Sequence, residues 1–263
     1  MSSATVQGRP RIDPRIAQRR VKVKRAHGRR RLRTLAVMTL ATLVLGSAWL
    51  LLHSSPFSAR HVSVEGTFHT PLSEVLSASG LGRHPPLLDV DPGAVSARLE
   101  ALPWISRASV ERRWPDSVAV IVTERAAVAS LEQDGTFVVL DRTGRVLALS
   151  PRAPAGTVPI VLSRPVAIGP PGSTVGRRVT GGLAVAAGIP PPLEEKVQAV
   201  EVGAGGGIAL ELQGSTRALF GPATELNEKF EALTTVLDEV PIGGPVQIDL
   251  TVPDEPTIES QPA

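Results

Sequence analysis

The sequence predicts an α+β protein in which a single transmembrane helix near the N-terminus is followed by a body of two parts, the second mainly antiparallel β-sheet with helices. Three observations carry that expectation. Thr34 to Leu52, TLAVMTLATLVLGSAWLLL, runs nineteen residues without a charge between Arg33 and His53. Beyond Arg60, apolar residues alternate in short runs punctuated by Gly, Pro and Asp, and helical spacing takes over in only a few places. Charge is divided as well: twelve of the 28 Lys/Arg but one of the 25 Asp/Glu precede Thr34, so the head carries +11 and the remainder −8.

A helix of that length reaches roughly 28 Å at about 1.5 Å per residue, close to the ~30 Å hydrocarbon thickness of a bilayer. Its leucines and valines each favour insertion by about 0.3–0.6 kcal/mol and outweigh Thr39, Thr42 and Ser47. Helical backbone is internally satisfied, so it can cross. A cleaved secretory signal fits less well, because the run exceeds the usual apolar region of about 7–15 residues. The nearest small-residue site, Phe57-Ser58-Ala59, also presents a bulky aromatic. A soluble core helix of this length would carry a polar face.

The positive-inside rule places residues 1–33 in the cytoplasm and the body outside, giving a single-pass type II protein of the cell membrane with its span at residues 34–53. The basic head, ending RRVKVKRAHGRRRLR, has few apolar residues and dense like charge, which predicts disorder. It reads as an orientation signal that also touches anionic lipid head groups, in preference to a nucleic-acid tail. Roughly 210 residues remain beyond the span, enough for two small domains.

The first domain opens with Arg60 to Glu65, whose Val62 and Val64 share a face, and Gly66 stops the strand. Thr70-Pro71 supplies an N-cap and first helical residue for a helix carrying Leu72, Val75 and Leu76 on one side, with Gly80 as the stop. Asp91-Pro92 repeats the signal before Val95, Leu99 and Leu102, and this helix ends near Pro103. Trp104 to Trp114 then alternates, Pro115-Asp116 makes a turn, and Val118, Val120 and Val122 line a third strand. The order is β-α-α-β-β.

The second domain begins as a meander. Asp134-Gly135 and Thr143-Gly144 separate the runs Val128 to Leu131, Phe137 to Leu140 and Val146 to Leu149. Residues 151–176 contain six prolines and read mostly as loop, with a helix following within 177–187. Val197 to Val202, Ile208 to Leu212 and Arg217 to Phe220 read as strands. Leu226, Phe230, Leu233 and Leu237 recur at helical spacing, with Glu225 and Lys229 as an exposed i,i+4 pair. Val246 to Thr251 forms a late strand, and Thr257 to Ser260 either a last strand or a frayed end.

No catalytic constellation emerges, so an enzyme is not expected. The chain lacks cysteine, and no G-x-S-x-G, H-E-x-x-H or Walker A pattern occurs. Gly203 to Gly207 precedes a strand, which makes it a hairpin loop and not a phosphate cradle. His61, His69 and His84 match no metal-ligand spacing, and Trp104 and Trp114 read as core or rim residues. No cofactor, metal, nucleic acid or small-molecule substrate is expected. Arg112 and Arg113 read as solvated charges or a partner patch, and Glu124 with Arg125 as strand-end charges or as a device that fixes the angle between domains.

Together these runs resemble the FtsQ family of bacterial cell-division proteins, called DivIB in Gram-positive bacteria. The likeness is carried by Phe57, VSVEG at Val62 to Gly66, LPWI at Leu102 to Ile105 and VERRWPDSVAVIVTER at Val110 to Arg125. FVVLDRTGRV at Phe137 to Val146, Glu228-Lys229 and the final QIDLTVP extend it. Arginine outnumbers lysine 24 to 4, which suits an actinobacterial member with a GC-rich genome. The resemblance implies a POTRA domain at 57–125, with Arg113, Trp114, Pro115, Asp116, Glu124 and Arg125 as its motif residues, a β-domain at 126–252 and a tail at 253–263. It further implies a division-septum protein that binds FtsB and FtsL and helps control septal peptidoglycan synthesis by FtsW and FtsI. In the family FtsB adds as a strand beside the last strands, which here means Ile248, Asp249, Leu250, Thr251 and Val252 with Thr257, Ile258 and Glu259 of the tail. Proline at Leu250 is then expected to abolish FtsB capture by removing a ladder donor. Two departures stand out: Ala126-Ala127 where the family has a proline before its Val-Ala, and no basic residue within Val197 to Val202 to pair with FtsB. The alternatives are a POTRA adaptor in secretion or membrane-protein assembly, which would need repeated units or a barrel, and a wall hydrolase, which would need paired carboxylates or a nucleophile.

Overall fold

The computed structural model describes residues 14–239 and 245–260. A helix α1, Pro14–Leu52, leads the chain. Its segment Arg31–Leu52, of mean hydropathy 2.2 and wholly unburied, is long and apolar enough to cross a membrane. Thr42 and Ser47 return their hydroxyls to the carbonyls of Met38 and Leu43 at 2.9 and 2.8 Å, so neither adds an unsatisfied polar group. Of the head expected to be disordered, residues 1–13 lie outside the described residues, and from Pro14 onward the backbone is helical. Arg, Lys, Gln and Ala are good helix formers, and a span that is already helical supplies the costly nucleus.

The first domain has the expected order: β1 His61–Glu65, α2 Leu72–Ser79, α3 Pro92–Glu100, β2 Ile105–Arg113 and β3 Ser117–Glu124. The central β3 runs parallel to β1 and antiparallel to β2. Val118, Val120 and Val122 pack against Val75, Leu81, Leu87, Val95 and Leu99 from the helical layer. Asp91 caps α3, accepting from the Gly93 N–H at 2.9 Å. The start of α2 differs from expectation: Pro71, not Thr70, is the cap position, without a side-chain bond. Thr70 is buried, its N–H donates to Glu124 at 2.9 Å, and its hydroxyl makes no capping bond.

The second domain comprises β4 Ala127–Gln133, β5 Thr136–Asp141, β6 Val146–Ser150, β7 Val158–Leu162, α4 Arg177–Gly188, α5 Pro191–Glu194, β8 Val197–Val202, β9 Ile208–Leu212, β10 Thr216–Gly221, α6 Leu226–Glu239, β11 Val246–Asp249 and β12 Thr257–Ser260. They form one nine-stranded sheet in the order β12-β11-β10-β9-β8-β7-β4-β5-β6. The pairs β4/β7, β7/β8 and β10/β11 are parallel and the rest antiparallel. β7 lies inside the proline-rich stretch expected to be loop and joins the meander to the later strands. Leu183, Val179, Phe230 and Leu233 of α4 and α6 pack over Ile160, Val200, Leu210, Phe220 and Ile248 on one sheet face. Leu149 and Val161, half exposed, mark the bare regions.

Lys229 is a further correction. Expected as an exposed partner of Glu225, it is fully buried, and its Nζ donates to the carbonyls of Phe220 at 2.7 Å and Pro222 at 3.1 Å. The chain leaves the sheet at Gly221-Pro222, and these carbonyls turn under α6. A cation there satisfies what an apolar side chain would leave unpaired.

Candidate docking edge and the domain junction

Backbone alternation decides what β12 presents. The Leu250 N–H donates to Leu219 O at 2.8 Å, and Ile248 is in register with Ala218, so the backbone groups of Val246, Ile248 and Leu250 face β10. Those of Gln247 and Asp249 then face β12, opposite Glu259 and Thr257. That leaves the N–H and C=O of Ile258 and Ser260 aimed away from the sheet. Among the described residues β12 has no neighbour on that side.

The expected contact residues divide accordingly. Thr257, Ile258 and Glu259 are exposed on the edge strand, with Ile258 at 43 %. Asp249 accepts from the Thr251 N–H at 2.8 Å in a turn that carries the chain out to the exposed Val252. The Thr251 hydroxyl and N–H hold the Asp249 carboxyl below the ordinary aspartate range. Ile248 and Leu250, in contrast, are wholly buried core residues. Proline at Leu250 would therefore break the β10–β11 ladder and not the outer edge. Ser260 was missed as an edge residue, although two-residue alternation from Ile258 points to it. Val197–Val202 holds no basic residue, but Arg217 of β10 reaches across to bond Glu201 within that strand. The neighbouring Glu201 carboxyl raises the Glu211 pKa.

Glu124 and Arg125 do different work. The Glu124 side chain, 7 % exposed, accepts the N–H groups of His69 at 2.9 Å and Thr70 at 2.9 Å and faces His69 Nδ1 at 2.9 Å. Burial raises its pKa, but these bonds and the Phe68 N–H outweigh that and lower it to about 2. The His69 ring lies flat on Trp104, centroids 4.1 Å apart. All of this is internal to the first domain. Arg125 instead joins the two domains: Nη1 reaches Asp141 Oδ2 at 2.8 Å, while Nε bonds Ile105 O at 3.3 Å. Asp141, its side chain 3 % exposed, also accepts from the Thr143 hydroxyl and N–H and the Arg145 N–H. Its pKa, which burial raises, is brought below the usual value by Thr143, Arg145 and Arg125. Arg145 adds a second tie, to Ala101 O at 2.9 Å. The DRTGR run is thus a turn built around a junction carboxylate.

The remaining motif residues form the β2–β3 turn. Arg113 pairs with Glu111 at 3.2 Å, and Trp114 and Pro115 are exposed. Asp116 holds His61 Nδ1 at 3.2 Å, and its carbonyl accepts the N–H groups of Arg60 and His61.

An apolar N-terminal helix long enough to cross a membrane, a β-α-α-β-β domain and a mixed sheet whose last strand is paired on one side only define the class: a two-domain α+β protein with a candidate membrane span. Residues 57–125 match the POTRA domain, FtsQ-type, and residues 129–251 the C-terminal domain of cell division protein FtsQ/DivIB. Two relatives, both cell division protein FtsQ, are 34 % identical: that of Streptomyces collinus over 238 residues, 87 % of this chain and 89 % of its own, and that of Streptomyces bingchenggensis over 248 residues, 92 % and 89 %. The FtsQ of Streptomyces coelicolor is 31 % identical over 219 residues, 80 % and 83 %. The chain belongs to the FtsQ/DivIB family of bacterial cell-division proteins.

Proposed function

We propose that this chain is a single-pass scaffold of the division machinery, with its N-terminus in the cytoplasm and both domains outside. It captures FtsB at the free side of β12, engages FtsL alongside, and through them influences septal peptidoglycan synthesis by FtsW and FtsI. It acts by binding and not by catalysis. The observation that supports this best is the outward N–H and C=O of Ile258 and Ser260. An unpaired row of this kind accepts an extended segment, while exposed side chains such as Ile258 and Val252 select it. The charge division of +11 against −8 favours the orientation.

Ile258→Pro tests the capture. It removes an outward donor, keeps the bonds of Thr257 and Glu259 to β11, and places a ring in the path of an incoming strand. FtsB affinity should fall about tenfold or more, since one hydrogen bond of ~0.5–1.5 kcal/mol is lost together with steric access. Unchanged affinity in a folded variant would remove the edge-capture reading. Depletion in the native cell should give long undivided cells, and a tagged copy should form a mid-cell band.

A further inference from the structure

The turn between β2 and β3 is fastened to the base of the membrane helix. Phe57 lies only five positions beyond Leu52, a reach of at most about 18 Å even if extended. The linker is not free: His53 packs on Trp49 at 4.3 Å and its Nε2 meets Asp89 at 3.3 Å. Arg60 bonds Ser55 Oγ at 2.7 Å, and Ser58 bridges to Pro86. Phe57 and Trp114 are in ring contact at 6.3 Å, and the Arg60 and His61 N–H groups hold the Asp116 carbonyl just past Trp114.

This base exposes large apolar side chains close to the membrane helix, as Phe68, Leu72 and Ile121 are exposed elsewhere in the domain. Trp49 is 58 % exposed, Trp114 50 % and Leu88, beside the His53 partner Asp89, 42 %. Two of the three tryptophans in the chain are here. No described residue accepts the Trp114 indole N–H, so an apolar ring with an unused donor is available to the head-group layer of a bilayer. Tryptophan concentrates in that layer for this reason. The nearby carboxylates Asp89, Glu111 and Asp116 are engaged by His53, Arg113 and His61, whereas Arg112 is exposed with no acidic partner among the described residues.

We infer that the Trp114 turn, with Leu88 and Phe57, seats in the head-group layer of the membrane that α1 crosses, and that Arg112 contacts anionic lipid phosphate. The occupant of this apolar patch is the lipid surface itself, and the contact fixes the tilt of the first domain relative to the span. The inference rests on the reading of α1 as a membrane span.

The test uses the full-length protein in nanodiscs that contain anionic phospholipid. The chain lacks cysteine, so single reporters can be placed freely. Spin labels at Leu88→Cys, Leu45→Cys and Leu149→Cys report depth, and Trp114 as sole tryptophan, after Trp49→Phe and Trp104→Phe, reports quenching by lipid brominated near the head group. The expected result is a mid-bilayer label at position 45, a head-group label at 88, an aqueous label at 149, and loss of most Trp114 emission. If position 45 is mid-bilayer while position 88 reads as aqueous as 149 and Trp114 is unquenched, the face is free for a protein neighbour and the inference is overturned. If position 45 is itself aqueous, the spanning reading has failed and the inference falls with it. The position 88 label leaves all tryptophans in place, so misfolding of the Trp104→Phe background does not obscure the result.

Discussion

Glu124→Gln probes the hold of the first domain on the loop before α2. A carboxyl at about 2 instead of 4.5 in the folded state corresponds to about 3 kcal/mol at the upper limit. The bonded His69 ring is 57 % exposed, and screening there reduces the contribution to about 1–2 kcal/mol. Because the folded pKa is depressed, this stability is present in full above the unfolded pKa near 4.5 and is lost as pH falls toward 2. Glutamine removes the charge but keeps one acceptor. At pH 7 the variant should lose about 1–2 kcal/mol, and its stability should depend less on pH between about 4.5 and 2. Urea unfolding read from Trp104, which stacks on His69, measures both. An unchanged midpoint at pH 7, or wild type and variant losing stability in parallel below pH 4.5, would refute the reasoning.

Gly66→Ala should destabilise the first domain by about 2 kcal/mol or more in thermal unfolding, because the residue sits at φ +88° and an added Cβ would lie 2.0 Å from the Val122 carbonyl oxygen. Lys229→Met keeps the buried volume but strips both hydrogen bonds, so urea unfolding of the second domain should show a loss of about 2–4 kcal/mol. Asp141→Asn removes the charge that Arg125 meets at 2.8 Å, and limited proteolysis should then cut faster at Arg125 to Ala127. In the wild type, the folded-state Asp141 pKa lies below 3.8, so the stability this tie contributes is present in full above about pH 4 and is lost as pH falls through the lower folded value.

The first domain was legible because each element carries its own punctuation. Asp91-Pro92 and Gly80 mark helix ends, and the alternation through Val118, Val120 and Val122 continues into a one-sided core. What failed depended on neighbours distant in sequence. β7 is five residues, Val158–Leu162, with Pro159 inside it, and its place between β4 and β8 comes from sheet pairing that no local pattern encodes. Lys229 has helical spacing, but its burial depends on where Phe220 and Pro222 direct their carbonyls. Thr70 reads as a cap, but it is buried with its N–H held by Glu124, fifty-four positions away, and its hydroxyl caps nothing. The candidate edge was partly readable: the residues of the late strands could be named, but which of them face outward followed only from the Leu250 bond to Leu219.

Residue-resolved amide hydrogen exchange of the anchored protein, with and without the FtsB segment, tests the capture most directly. The Thr257 and Glu259 amides should be protected in both states, and those of Ile258 and Ser260 should become protected only in the complex. Bound FtsB with Ile258 and Ser260 still exchanging at their free rates would contradict the account.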